Sequence, residues 1–522
     1  MRILIPYTAW LWAALGGLIY CLCFPRWDIF VLAPLVMPCY LASIHRLGSG
    51  KQALWIGFLI SSIIAIGGFH WIVFVSENFG GLPLPGALAM LFAYCIVAAP
   101  QVYAFFWLGF HFRFEVERLP LWLRPLFWAF LYVALEFIAR QIKIFPEHLG
   151  NTMIGFLPLA QAASLGGVSL LSFVPLFLGA TFFYLGKEKM RALPIFAASV
   201  FLLLILCIWG KSEMARVKKL PTHPLKISML QANIGDMDKV VSESGNRQAI
   251  DTVINRYLNL ATAHPEADLI IWPETAYPLA FPARASLGYS PYAQGYANLV
   301  MDRAKLLKKS MLLGGYEQEK GRDYNSALLV GADGKAQGSY RKVHLLIFGE
   351  WMPLANIFPK LKELNPQMGD FGEGEGAVPL QWTHDGTSTL LGITICYESL
   401  IPEYMRALAV RGADFFLNIT NDSWFGPTFE PWQHLQLASL RTIENRKPMV
   451  RATNTGLSVV IDSTGKTITM GPLFEASAIQ AEVAIPDKSN SPSVYLVVGE
   501  LFAWMSIAIS TLLLFTLWRR KT

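Results

Sequence analysis

Charge is scarce in this chain. Asp, Glu, Lys and Arg make up 15% of its 522 residues, against 54% hydrophobic residues and a mean hydropathy of +0.41. That balance excludes a single soluble core and implies a membrane protein. Cysteine is scarce as well: there are six, and Cys21, Cys23, Cys39, Cys95 and Cys207 lie in or beside apolar runs, where the side chain acts as a small hydrophobe. Cys396 alone lies elsewhere, so its region has no partner for an internal disulfide. It is either a packed structural thiol or a reactive one. The nine histidines show neither HExxH nor a Cys/His ligand spacing, which argues against a metal site. The glycine-rich GDFGEGEG lacks the Lys-Ser/Thr ending of a phosphate loop and reads as a lid. No cofactor is expected, and no internal repeat stands out.

Long apolar runs are abundant. Spanning a hydrocarbon layer of about 30 Å takes roughly 20 helical residues. Runs of that kind fall near 7–24, 27–44, 53–75, 87–110, 121–139, 165–185, 193–209 and 494–518, so eight transmembrane helices are expected. The first run is read as a retained span, because no small-residue cleavage site follows it and Pro25-Arg26-Trp27 leads into the next. Alternate loops are basic: Arg2, then Arg46 and Lys51, then Arg113, Arg118 and Arg124, then Lys187, Lys189 and Arg191, and finally Arg519, Arg520 and Lys521. The opposite set holds only Arg26, Arg140 and Lys143, so both termini are expected on the cytoplasmic side and the large segment before the last span outside. The net charge of +6 is largely these residues and gives little support to nucleic-acid binding. Glu136, inside the fifth run, is either functional or ion-paired with Arg140 four residues on.

The expected domains are therefore a membrane part at 1–210, a linker at 211–224, a soluble domain at 225–486, and a last span with a basic tail at 487–522. The soluble part alternates strand-like runs (LKISMLQANI, ADLIIWPE, MLLGGYE, TLLGITIC, ADFFLNIT) with helical stretches, the pattern of an α/β domain. Hairpins are expected to turn at Asp333-Gly334 and Thr464-Gly465. The segments 281–297 and 354–378 read as lids, since they carry Phe281, Tyr289, Tyr292, Ile357, Phe358 and Phe371.

Glu274, Lys342 and Cys396 each end a strand-like run, where α/β domains often place reactive groups. A thiol with an ordinary pKa near 8.5 is mostly protonated at neutral pH, so a cysteine nucleophile gains from a base, a cation or a helix N-terminus. Glu274 suits the first role, Lys342 an oxyanion partner, and the helical run after Cys396 the third. Taken singly, each has a plain structural alternative. His344 and His434 read as supporting rather than catalytic.

The words IIWPETAYP, YRKVHLLIFGEWMP and GITICYESLIPE, in this order, resemble the Glu, Lys and Cys motifs of the nitrilase superfamily. NITNDSWFG, the stretch from PWQHLQLASL to LSVVID, and the membrane frame narrow the resemblance to the apolipoprotein N-acyltransferase family. It covers essentially the whole chain and implies a four-layer α-β-β-α sandwich on a membrane bundle. It implies Glu274 as general base, Cys396 as nucleophile, Lys342 as transition-state stabiliser and Glu350 as a supporting carboxylate. Tyr397, Glu398, Asn421, Asp422 and Trp424 would shape the pocket. The implied reaction passes an acyl chain from a phospholipid, through a cysteine thioester, to the N-terminal amine of a diacylated apolipoprotein in the bacterial inner membrane. A monomer with no cofactor is expected. The pattern departs from the family at Val343 and Ile347. A membrane-tethered amidase using water, or an inactive scaffold or receptor, are the competing readings.

Overall fold

The computed structural model describes residues 5–25, 27–142, 148–281, 291–347, 349–351 and 371–521. Arg2, Arg26, Lys143, Tyr289, Ile357 and Phe358, each named above, lie outside these. In chain order the first ten helices are α1 (Ile5–Leu22), α2 (Val36–Ile44), α3 (Gly50–Phe69), α4 (Trp71–Asn78), α5 (Leu84–Val97), α6 (Pro100–Val116), α7 (Leu123–Arg140), α8 (Leu157–Ala160), α9 (Ala163–Glu188) and α10 (Leu193–Val217). The strands β1 (Thr222–Gln231), β2 (Leu269–Ile271), β3 (Ser310–Glu319), β4 (Arg322–Val330), β5 (Ala336–Arg341), β6 (Leu380–His384), β7 (Thr387–Ile395), β8 (Phe415–Thr420), β9 (Met449–Thr453), β10 (Val459–Ile461), β11 (Thr467–Met470) and β12 (Ser477–Pro486) follow. Among them lie α11 (Asp236–Glu243), α12 (Arg247–Leu260), α13 (Pro291–Leu307), α14 (Pro402–Val410) and α15 (Glu430–Asn445), and the chain closes with α16 (Val494–Val498) and α17 (Leu501–Lys521).

The chain divides into a helical unit of residues 1–78, 82–218 and 493–522 and an α/β unit of residues 79–81 and 219–492. Residues 211–217, expected as linker, form the last turns of α10.

All eight expected apolar runs of the helical unit are helical, but their continuity differs from the expectation. Among the described residues, Gly50–Phe69, Ala163–Val217 and Leu501–Lys521 are long and apolar enough to cross a bilayer, and α5 and α6 reach that length only as a pair bent by 43°, the geometry of a broken span or a re-entrant loop. The bend has a local cause: Pro100, at the first turn of α6, has no N–H to continue the α5 ladder, and its ring would collide with the preceding turn of a straight helix. The runs at 7–24 and 27–44 form shorter apolar helices, Tyr7–Leu22 and Phe30–Ile44. α9 carries a break at Gly166 and Gly167, the latter at φ +68°. Arg124 and Lys187, read above as orientation markers, share one anion: Glu117 meets Arg124 at 2.9 Å, Lys187 at 2.8 Å and His45 at 2.9 Å, and accepts the Tyr184 hydroxyl at 3.1 Å. The ends of α2, α6, α7 and α9 are joined there. Glu136 meets His148 at 3.1 Å and accepts the Leu149 amide at 2.8 Å, while Arg140 pairs with Glu500 at 3.0 Å.

The α/β unit holds two six-stranded mixed sheets, ordered β12-β1-β2-β3-β4-β5 and β11-β10-β9-β8-β7-β6. In each, the central three strands are parallel and the flanking ones antiparallel. The hairpins β4–β5 and β10–β11 turn where the sequence places them. Ile250, Ile254 and Tyr257 of α12 and Ala297, Val300 and Ala304 of α13 pack on Ile270, Met311, Leu313 and Leu328 of the first sheet. α14 packs on β7, and β1 meets β9 while β5 meets β6. Helices thus cover the sheets, and the sheets meet each other, in the α-β-β-α order of a nitrilase-like fold. Parallel central strands buried on both faces put their C-terminal ends, and the polar groups that follow them, at one edge.

Candidate active site

Glu274 follows β2 by three residues, after Trp272 and Pro273, and is 7% exposed. Glycine at 314 lets β3 run close beneath it: a Cβ there would collide with the Pro273 carbonyl oxygen and lie 2.7 Å from the Glu274 Cα. The Glu274 carboxylate accepts Asn325 Nδ2 at 2.8 Å through Oε1 and the Asn421 main-chain amide at 3.0 Å through Oε2. One side of each oxygen is thus pinned, which orients the group toward its remaining neighbours.

Lys342 leaves the end of β5 and is 1% exposed. Its main-chain N–H donates to Asn325 at 2.8 Å, so β4 sets its position. Its Nζ donates to Glu350 Oε1 at 2.8 Å, lies 2.7 Å from Glu350 Oε2, and donates to Glu274 Oε1 at 3.4 Å. Asn325 Nδ2 also donates to Glu350 at 2.9 Å, and the Leu346 amide does so at 2.9 Å. Burial pulls the lysine pKa down, but Glu350, Glu274 and the nearby Cys396 raise it well above its ordinary value. The group is therefore a buried ammonium between two carboxylates.

Cys396 directly follows β7 with φ at +54°, a left-handed conformation that costs a non-glycine residue of order 1 kcal/mol or more and is common at reactive sites. Its thiol feels the charges of Glu274, Lys342 and Glu350 and hydrogen-bonds the Thr420 hydroxyl. Burial and then Glu274 push the thiol pKa up, against Lys342 and Thr420. The resting sulfur is protonated, and a carboxylate is at hand to take the proton. The structure thus gathers Glu274, Lys342, Glu350 and Cys396, which the sequence spreads over 123 positions. The run after Cys396 is not one helix, as expected from its spacing. Cys396–Leu400 forms a short 3-10 turn, and α14 begins only at Pro402.

The flanking residues divide by what they touch. Glu398 is fully buried. Its Oε1 accepts the amides of Val343 at 2.6 Å and His344 at 3.0 Å, and its Oε2 accepts the Tyr340 hydroxyl at 2.6 Å and the Ile395 amide at 2.8 Å. Burial pushes this carboxyl up to about 7, and the bonds from Tyr340, His344 and Ile395 oppose it. Because position 343 contributes only its main-chain amide, valine there leaves the contact intact. Tyr397 is 5% exposed beside the nucleophile. The Asn421 side chain accepts Lys239 Nζ at 2.8 Å and Trp424 Nε1 at 3.2 Å, its amide oriented by these donors. Asp422 is sealed away with Arg451 at 2.8 Å.

Sequence reasoning missed Asn325, Thr420 and Lys239. Asn325 stands in the polar first half of β4, before its apolar run at 327–330, so no break in the pattern marks it. Lys239 is 6% exposed, donates to the Thr275 hydroxyl and lies 5.2 Å from the Trp424 ring centre. A cavity of about 10 Å³, lined by Lys239, Ser242, Glu274, Thr275, Asn421 and Asn454 among others, lies here; it is at the lower limit for one water and far below an acyl chain.

The carbon-nitrogen hydrolase family matches residues 226–488, and the apolipoprotein N-acyltransferase N-terminal domain matches residues 16–181. The apolipoprotein N-acyltransferase of Bdellovibrio bacteriovorus is 31% identical over 95% of this chain and 92% of its own length. That of Geobacter metallireducens is 31% identical over 99% and 97%. That of Vibrio vulnificus is 28% identical over 98% and 96%. With identity at that level running from end to end, and with both parts of the chain matched, this protein belongs to the apolipoprotein N-acyltransferase family.

Proposed function

We propose that this membrane protein is an acyltransferase that completes lipoproteins by N-acylation, with Cys396 as its nucleophile. One observation carries the assignment of roles: the Lys342 ammonium bridges Glu350 and Glu274 beside a protonated, buried thiol. Glu274 takes the thiol proton as the sulfur attacks the ester carbonyl of a phospholipid acyl chain. The developing oxyanion is met by the Lys342 ammonium, and collapse breaks the C–O bond. The leaving lysophospholipid alkoxide takes the proton back from Glu274, leaving a thioester on Cys396. The α-amine of a diacylglyceryl-cysteine then attacks that thioester, gives its proton to Glu274, and forms the amide. The proton returns to the thiolate.

The membrane frame belongs to the same reading. Eight spans, both termini cytoplasmic and the domain at 225–486 on the periplasmic side of the inner membrane follow from the apolar runs and loop charges, and the enzyme is taken as a monomer. Asn421 and Trp424 frame the pocket, joined by Tyr397, while Glu398 and Asp422 support it from behind.

The test uses the full-length protein in detergent or nanodiscs with a phospholipid labelled in its acyl chain. Hydroxylamine-sensitive label is expected on the wild type, is expected to move to a diacylated lipopeptide, and is expected to be absent from Cys396→Ala. Release of the label as free fatty acid, without transfer to the amine, would instead mark a hydrolase. No label from any donor would overturn the reading.

A further inference from the structure

The main-chain carbonyl of Cys396 is held by three donors: Asn418 Nδ2 at 3.1 Å, Ser399 Oγ at 3.1 Å and His434 Nε2 at 3.3 Å. Two of these are ends of one buried chain. Asn418 Oδ1 accepts Arg451 Nη1 at 2.9 Å, and Arg451 Nη2 donates to Asp422 Oδ2 at 2.8 Å and Oδ1 at 3.0 Å. Asp422 Oδ1 lies 3.5 Å from His434 Nδ1, and His434 returns through Nε2 to the Cys396 carbonyl. The path closes on itself. Asn418, Arg451 and Asp422 are each 0% exposed and His434 2%.

We propose that His434, fixed by this ring, is a positioning residue that holds the nucleophile's main chain in its left-handed conformation for acyl transfer. The proposal rests on Cys396 being the nucleophile.

The chemistry of the ring decides which tautomer His434 adopts. Its Nε2 faces a carbonyl oxygen, so a bare nitrogen there would set two lone pairs against each other; Nε2 must carry hydrogen. Its Nδ1 faces Asp422 and, at 3.7 Å, Glu430 Oε1. Asp422 is committed to Arg451, which leaves Glu430 to supply or receive the proton on the Nδ1 side. Burial and the Asp422 charge raise the Glu430 pKa well above its ordinary value, while burial and then Arg451 lower that of His434. Both directions leave Glu430 protonated and the imidazole neutral, with its one hydrogen on Nε2 for the carbonyl. The groups facing the imidazole are thus Asp422, Glu430, Arg451 and the Cys396 carbonyl, with Ser399 Oγ at 3.4 Å. Asp422, Glu430 and His434 also cluster as metal ligands do, but Arg451 already occupies both Asp422 oxygens.

The ring also reaches the sulfur. Thr420, which hydrogen-bonds the thiol, donates to Asp422 Oδ1 at 3.2 Å. One carboxylate therefore supports both the carbonyl and the thiol of Cys396.

The test compares wild type, His434→Ala and His434→Gln as full-length protein. A phospholipid labelled in its acyl chain reports the single-turnover rate of thioester formation across donor concentrations, and iodoacetamide reports thiol reactivity. His434→Ala is expected to lower the maximal acylation rate by roughly 10²-fold with the half-saturating donor concentration unchanged. The amide of His434→Gln supplies a donor in place of Nε2 and is expected to recover most of that loss. Acylation of His434→Ala at the wild-type rate would overturn the proposal. So would a folded His434→Gln as slow as His434→Ala. Should His434→Ala fail to fold, the folded glutamine variant decides alone, supporting the proposal at a near-wild-type rate and overturning it at a 10²-fold loss. Absence of label on wild-type Cys396 would instead break the nucleophile assignment, and the iodoacetamide comparison would still measure the ring.

Discussion

The Glu398 carboxylate, two residues after Cys396, accepts the main-chain amide of Val343, one residue after Lys342, at 2.6 Å. Through this contact the nucleophile's turn and the lysine's loop are tied by a side chain that lies outside the reacting set. Every partner of Glu398 is a donor, from Val343, His344, Tyr340 and Ile395. Glu398→Gln puts an NH₂ against one of those donors. It is expected to cost about 3 kcal/mol of stability and to slow thioester formation, read from the denaturation midpoint and the single-turnover rate. Because burial pushes the wild-type carboxyl up to about 7, the acylation rate of the wild type is expected to fall as pH drops through that value. The glutamine variant should lose that part of the profile.

Gly314 predicts a second effect at a distance. It abuts the backbone of the general base, since an added Cβ would sit 2.7 Å from the Glu274 Cα and closer still to the Pro273 oxygen. Backbone on both sides cannot yield as a flexible side chain can. Gly314→Ala is expected to shift Glu274 and lower the acylation rate by roughly 10²-fold, although the alanine methyl touches no substrate. A variant with wild-type turnover would show that the carboxylate tolerates the displacement.

Much of this arrangement was legible in the order of residues, and the reason is local. Glu274 and Cys396 lie just past β2 and β7, where an apolar run stops, whereas Lys342 follows the polar strand AQGSYR and was marked by the words YRKVH instead. The hairpins announced themselves through Asp333-Gly334 and Thr464-Gly465. The residues that hold those groups were harder to read, because their partners are remote: Asn325 reaches Glu274 across 51 positions, and Asn418 reaches Arg451 across 33. Arg451 did carry a signal, a charge inside the buried strand MVRAT. The helical unit failed differently. Hydropathy marks apolar stretches but not their continuity, so the bend before Pro100 and the break at Gly166 and Gly167 went unseen.

Asp422 gives a pH-dependent prediction whose sign is fixed by its partner. Burial raises its pKa, but the Arg451 guanidinium overcomes this and holds it at about 2, below the ordinary 3.8. The unfolded chain therefore binds this proton more readily than the folded one. The stabilisation is complete above pH 3.8 and is lost as the pH falls toward 2; it amounts to on the order of 2 kcal/mol. Asp422→Asn removes it at every pH and leaves the Arg451 charge unpaired. Denaturation midpoints of the two proteins should differ most above pH 4 and converge on acidification; parallel curves would contradict the assignment.

Glu350 separates holding the lysine from taking the proton. Its carboxylate lies 2.7 Å from Lys342 Nζ, against 3.4 Å for Glu274, so the ammonium leans toward Glu350 and leaves Glu274 the weaker contact. Glu350→Gln cancels the stronger attraction and keeps one oxygen only, so its NH₂ is set against either Asn325 Nδ2 or the Leu346 amide. The lysine then moves to Glu274, whose charge it neutralises, and the base loses its hold on the thiol proton. The rate of thioester formation is expected to fall by about 10² to 10³, equal to the 2.7 to 4 kcal/mol typical of a misplaced oxyanion donor, with the denaturation midpoint also lowered by the donor left without an acceptor. Glu350→Asp keeps the charge but shortens its reach, and should retain more activity than the glutamine. If instead the glutamine variant acylates at the wild-type rate, charge at 350 is not what places Lys342, and its bond to Glu274 alone must suffice.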